Sequence, residues 1–171
     1  PITMTLLSIF LFLFTPSPHL SDTAPENLFD FWVGEWELTW TDAQGNSKKG
    51  YNRIVKILDE QVIQENFEAV PASEGTTAFK GMSLSVYNPR SKQWHQAWAD
   101  SQGGYYDFTG QFEGDKRMFV TTVTNQQGKE VELRMVFRDI SQDAFIWDWE
   151  SSTDGGKTWN LNWQIHYQRK K

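Results

Sequence analysis

The chain has 171 residues, no cysteine and a net charge of −6 with a pI near 5.0. That length suits one domain with a sizeable core. The missing cysteine excludes disulfides, thiolate metal sites and a thiol nucleophile, and the acidic balance argues against a nucleic-acid surface, which needs clustered Lys and Arg. Arg169-Lys-Lys171 is the one basic cluster and reads as the solvated end of a last strand.

The chain opens on a nearly continuous apolar run, Leu6–Phe14, followed by Thr15–Ala24, which is rich in helix breakers. The run is too short to span a membrane and has the size of a signal-peptide h-region with a polar segment behind it. Residues 1–24 are therefore read as a leader. The mature domain is 25–171, periplasmic or secreted and without a membrane span.

From residue 25 onward helical periodicity gives way to short alternating segments separated by turn residues, at roughly 10–15-residue spacing. Pro25–Phe31 predicts one helical turn with Asn27 as its cap. The first strand is expected over Trp32–Trp40, with Trp36, Leu38 and Trp40 on one face and Glu35, Glu37 and Thr39 on the other. Further strands follow at Gly50–Leu58, Val62–Ala69, Gly81–Tyr87, Gln93–Asp100, Tyr105–Phe112, Arg117–Thr124, Glu130–Arg138, Ala144–Ser151 and Trp159–Tyr167. In the last of these, Trp159, Leu161, Trp163, Ile165 and Tyr167 are expected to face inward, alternating with Asn160, Asn162, Gln164 and His166. About ten consecutive strands joined by short turns form a meander, and a long antiparallel meander removes its edges by closing into a barrel. The fold expected is all-β: a single antiparallel up-and-down barrel of about ten strands with a short N-terminal helical turn, able to hold one small ligand.

All nine tryptophans fall on predicted strands or strand ends. Such rings suit either an ordinary core or an aromatic-lined cavity. The candidate cavity residues are Trp36, Trp40, Trp98, Tyr106, Phe108, Trp147 and Trp163.

The remaining constellations give little chemistry. Ser152-Thr-Asp-Gly-Gly-Lys-Thr-Trp159 matches the Asp-box hairpin pattern, in which the carboxylate bonds turn amides and the glycines supply positive φ. It is a scaffold signature. Glu35/Glu37 and Asp148/Glu150 are carboxylate pairs at i, i+2, about 7 Å apart on one strand face, a separation glycosidases use. Alternation sends both pairs to the solvated outer face. The histidines lack metal-ligand spacing. His95 and His166 are the candidates for a haem ligand from the barrel wall; alternation turns His166 outward and leaves His95 open. No nucleophile elbow, P-loop or dinucleotide fingerprint occurs, so no enzyme activity and no obligatory cofactor is expected.

Several blocks carry a family resemblance: Phe29-Asp-Phe-Trp-Val-Gly-Glu-Trp36, Gly81-Met-Ser-Leu-Ser-Val-Tyr-Asn-Pro89, Trp94-His-Gln-Ala-Trp-Ala-Asp100, and Asp154-Gly-Gly-Lys-Thr-Trp159 with the closing Tyr167-Gln-Arg169. Together they resemble uncharacterised, often exported bacterial lipocalin-like (calycin-type) proteins. The resemblance implies that Gly34-x-Trp36 on the first strand packs against a basic residue of the last strand, for which Arg169 is the match, closing one end of the barrel. The aromatic interior that strand alternation predicts points to a small apolar or amphipathic ligand inside. The alternatives are a haem or nitric-oxide binder, a carbohydrate-binding protein and a solid structural barrel.

Overall fold

The computed structural model describes residues 23–71, 73 and 75–171; most of the segment read as a leader lies outside them. Two 3₁₀ turns, Pro25–Asn27 and Asp30–Trp32, precede ten strands: β1 (Gly34–Thr41), β2 (Ser47–Ile57), β3 (Val62–Ala69), β4 (Lys80–Asn88), β5 (Gln93–Asp100), β6 (Tyr105–Glu113), β7 (Lys116–Thr124), β8 (Glu130–Arg138), β9 (Ala144–Ser152) and β10 (Asn160–Arg169). Each strand pairs antiparallel with its sequence neighbours, and β1 pairs with β10, so the sheet is a closed up-and-down barrel. No helix among the described residues is long and apolar enough to cross a membrane.

Most strands carry the alternation that closure demands, since successive side chains point to opposite faces of the sheet. On β1, Trp36 and Leu38 are buried while Glu35, Glu37 and Thr39 are exposed. Three local expectations are corrected. Trp32 belongs to the second 3₁₀ turn, because Phe29 O accepts from its amide at 3.1 Å before the chain straightens. Asn27 closes the first turn, which has no side-chain cap. On β10, a bulge between Leu161 and Trp163 breaks the alternation; an inserted residue of this kind shifts the facing of what precedes it. Leu161 is consequently 54% exposed, and Trp159 lies just outside the strand, where Arg134 Cζ sits 3.8 Å over its ring.

The two ends of the barrel differ. At the end where β1 starts and β10 finishes, the 3₁₀ segment folds across the opening. Phe29 is fully buried, stacked on Phe119 at 4.5 Å and edge-on to Trp94 at 5.1 Å. The Trp94 indole donates to Pro25 O at 2.8 Å. Arg169 Nη1 and Nη2 donate to Val33 O (2.9 Å) and Phe31 O (3.1 Å), Nε donates to Gln142 O (2.8 Å), and the guanidinium lies 4.2 Å from the Trp36 ring. Trp36 Nε1 in turn donates to Trp32 O at 2.8 Å. Gly34, at φ +146°, has no side chain to obstruct this: a Cβ there would collide with the Arg169 guanidinium. One end is thus sealed by packed rings and one half-buried cation, and the connections after β1, β3, β5, β7 and β9 surround the other.

Candidate functional site

Between the sealed end and the mouth lies a cavity of about 190 Å³. Its wall is largely aromatic. Trp98, Tyr106, Phe108, Trp147 and Trp163 contribute, as expected from alternation, and they are joined by Trp149 and by Phe67 and Phe79. Trp147 and Trp149 lie parallel with centroids 6.4 Å apart, and Trp163 meets Trp147 edge-on at 5.7 Å.

Two candidates are not on the wall. Trp36 faces inward but is consumed by the seal, edge-on to Phe145 at 4.9 Å and 6.0 Å from Tyr167. Trp40, at the mouth end of β1, sits edge-on to Trp163 at 5.4 Å and beside Phe67 at 6.4 Å and does not line the cavity. Gly50 makes room for it, since a Cβ there would press on the Trp40 ring. Spacing alone separates inside from outside; height along the barrel axis separates cavity from plug.

Glu65 is the most deeply placed charged residue among those lining residues that sequence reasoning missed. It occupies the inward position of β3 next below Phe67, away from the mouth, and is buried. Its Oε1 accepts from Asn52 Nδ2 at 2.6 Å and its Oε2 from Ser83 Oγ at 2.7 Å. Asn52 Nδ2 also donates to the Tyr167 hydroxyl at 3.1 Å, so β2, β3, β4 and β10 are tied together at this level. Burial pushes the Glu65 carboxyl up to about 7, against the smaller downward pull of Ser83 and Asn52. Burial, with the Glu65 charge nearby, likewise holds the Tyr167 hydroxyl well above its ordinary value. The sequence shows the alternation of β4, and the structure shows it to be inverted. Ser83 and Ser85 point inward, while Met82, Leu84 and Val86 point out. Gln96, also buried, donates to Ser85 Oγ at 2.9 Å. The polar side of β4 faces in because β3 presents a carboxylate that must be satisfied; a buried polar group left unpaired costs about 1–3 kcal/mol.

The second carboxylate on the wall is Asp100, at the mouth end of β5. It accepts from Trp98 Nε1 (3.0 Å) and from the amides of Gln102 and Gly104 (both 2.9 Å). Burial raises its pKa, but these three donors outweigh that and the net shift is downward, so Asp100 stays ionised while it orients Trp98. The Trp98 ring lies directly over Gly81 on β4, where a Cβ would collide with it. Gly81→Ala is therefore expected to push the indole off its Asp100 partner and cost about 1–3 kcal/mol by overpacking. Urea unfolding and a shift in tryptophan emission check this.

The other candidates lie outside the barrel. His95 and His166 are both exposed on the outer face, so neither reaches an iron inside. Asp148 and Glu150 also point outward, opposite Trp147 and Trp149, but they are not solvated. Asp148 is buried and takes Arg138 Nε at 2.6 Å and Gln164 Nε2 at 2.8 Å; Glu150 takes Arg134 Nε at 2.6 Å. These are cross-strand ion pairs, and the one tryptophan described beside them, Trp159, is covered by the Arg134 guanidinium. Among the described residues no group of three or more His, Asp or Glu is placed to hold a metal ion.

The Asp-box folds as a hairpin. Asp154 Oδ1 accepts from the amides of Lys157 (3.1 Å) and Thr158 (3.0 Å), and its Oδ2 from the Thr158 hydroxyl at 2.7 Å. Those bonds, the Thr158 hydroxyl foremost, lower Asp154 to about 2.

No family model matches the chain, and no curated protein matches it. Among solved structures, a redesigned β-barrel aligns over 85% of this chain and 96% of its own, at 11% identity and a TM-score of 0.44.

Proposed function

We propose that this protein is an exported lipocalin-like barrel that binds one small apolar or amphipathic molecule. The observation that carries this reading is the cavity of about 190 Å³, walled by tryptophans and phenylalanines and floored by a buried polar cluster. Binding sites in general combine a mostly apolar wall with a few fixed polar groups. The seal at one end supports the same reading, because it leaves a single mouth and a rigid floor. The outward placement of His95 and His166 weighs against haem, and the arginines that occupy Asp148, Glu150 and the Trp159 face weigh against a carbohydrate groove.

The test is native mass spectrometry of protein recovered from an exporting host. The expected result is extra mass, lost on denaturation, of one small molecule per chain. Bare chain mass, together with tryptophan emission that no small aromatic compound perturbs, would overturn the reading in favour of a structural barrel.

A further inference from the structure

We infer that the ligand is an organic ammonium ion, an amine on an apolar or aromatic body, with its charged head on Glu65 and its body among the tryptophans. This rests on the binding reading above and names the class of molecule for that site.

The charges decide the sign. Among the described residues, the charged groups lining the cavity are Glu65 and Asp100, and no Lys, Arg or His lines it. Four arginines on the strands are placed elsewhere: Arg134 and Arg138 on carboxylates of the outer face, Arg169 in the seal, and Arg117 over the Phe31 ring at the sealed end. An anionic ligand would meet two carboxylates and no counter-charge. A cation finds a carboxylate at the floor and, on its way in, the ionised Asp100 at the mouth.

The geometry decides the head group. Glu65 is held by two neutral donors, Asn52 Nδ2 and Ser83 Oγ, so a carboxylate is fixed in place with no cation to compensate it. Buried charges are normally paired, and a carboxylate has lone-pair capacity beyond two bonds. An ammonium has donors to offer and no acceptor. The side-chain oxygen of Asn52, whose amide is oriented by its two donated bonds, is buried without a donor. The walls suit the same ion, since tryptophan faces attract cations and bury apolar carbon in one contact.

The titratable groups sharing the cavity with Glu65 are Tyr167 from β10, Tyr106 from β6 and Asp100 from β5; its contacts from β2 and β4, Asn52 and Ser83, are neutral. Tyr167 stays protonated and Asp100 stays ionised near neutrality, which leaves Glu65 as the group whose ionisation gates the site.

The experiment compares phenethylamine, phenylethanol and phenylacetate by calorimetry on the full chain, for wild type and Glu65→Gln. The amine is expected to bind tightest. Its affinity should rise about tenfold per pH unit up to about pH 7 and then level, while phenylethanol shows no such slope. Glu65→Gln should weaken the amine roughly tenfold or more and weaken phenylethanol far less. The glutamine can still accept from Asn52 and donate to Ser83. If the variant does not fold, the contrasting pH profiles of amine and alcohol on wild type carry the test. Phenylethanol or phenylacetate binding as tightly as the amine would overturn the ammonium assignment and leave the binding reading standing. If none of the three binds while native mass spectrometry shows a carried molecule, the ammonium assignment alone falls. If no carried mass appears either, both fall.

Discussion

Arg169→Leu is expected to destabilise the protein by about 4 kcal/mol, a large share of the 5–15 kcal/mol that holds most domains folded. The guanidinium donates to three carbonyls contributed by different parts of the chain: Phe31 in the 3₁₀ segment, Val33 ahead of β1, and Gln142 between β8 and β9. It also covers the Trp36 ring. Hydrogen bonds from a charged donor contribute about 1.5–3 kcal/mol each, and part-buried acceptors left without a donor add their own penalty. The sum is not additive, because the segment relaxes once released. Leucine keeps apolar bulk over Trp36, so the loss reports the hydrogen bonds and the cation. Arg169→Lys is the sharper control. It keeps the charge but cannot reach Val33 and Phe31 with one planar fork, and should recover less than half of the loss. Urea unfolding of the three proteins gives the numbers. If Arg169→Leu costs under about 1 kcal/mol, the value of an exposed ion pair, the seal is held by Phe29 and its neighbours alone.

The second large effect is in Glu65→Gln, and its sign depends on pH. The folded chain holds the carboxyl at about 7, whereas its ordinary value is 4.5. Below 4.5 both folded and unfolded chains are protonated there, and the contribution is fully present. Between 4.5 and 7 the unfolded chain releases the proton while the folded chain keeps it, so stability falls with rising pH. Above 7 the loss is complete. At about 1.4 kcal/mol per unit, the total is on the order of 3 kcal/mol. Glu65→Gln removes the penalty: it should match wild type near pH 4.5 and exceed it by about 3 kcal/mol at pH 8. Asp42 and Asp154, each lowered to about 2, act in the opposite sense, losing their contribution as pH falls below 3.8. A series from pH 4.5 to 8 is therefore clear of them. A flat wild-type profile over that range would mean that the Glu65 carboxyl is not confined in the folded protein. A residue that weakens the fold at neutral pH, yet sits in a cavity with donors arranged around it, fits a role in binding better than one in folding.

Much of this was legible in the chain. Alternation of Trp36 with Glu35 and Glu37, and of Tyr106 and Phe108 with Asp107, reports which side chains face in, because the sheet period is two and one face must be dry. Ten such segments with short turns leave a meander little choice but closure. The Asp154 turn was readable because its bonds run between residues at most four apart. What failed were the cases where facing or function depends on a strand distant in sequence. Leu161 is turned out by a bulge in its pairing with β9, which no property of Leu161 announces. Asp148 looked like a solvated carboxylate until β8 and β10 brought Arg138 and Gln164 against it.

By itself, then, the sequence determined the fold class, the strand order, most of the inward rings and the Asp154 turn, all of which follow from periodicity and short-range bonds. Only the tertiary structure decided where along the barrel the rings close a plug and where they line a cavity. It alone showed that the hydrophilic face of β4 looks inward, because Ser83 and Asn52 become partners of Glu65 only after β2, β3 and β4 are set in register. Burial, register and the sign of the charge in an enclosed space are properties of the assembled barrel, and the candidate site is made of those three.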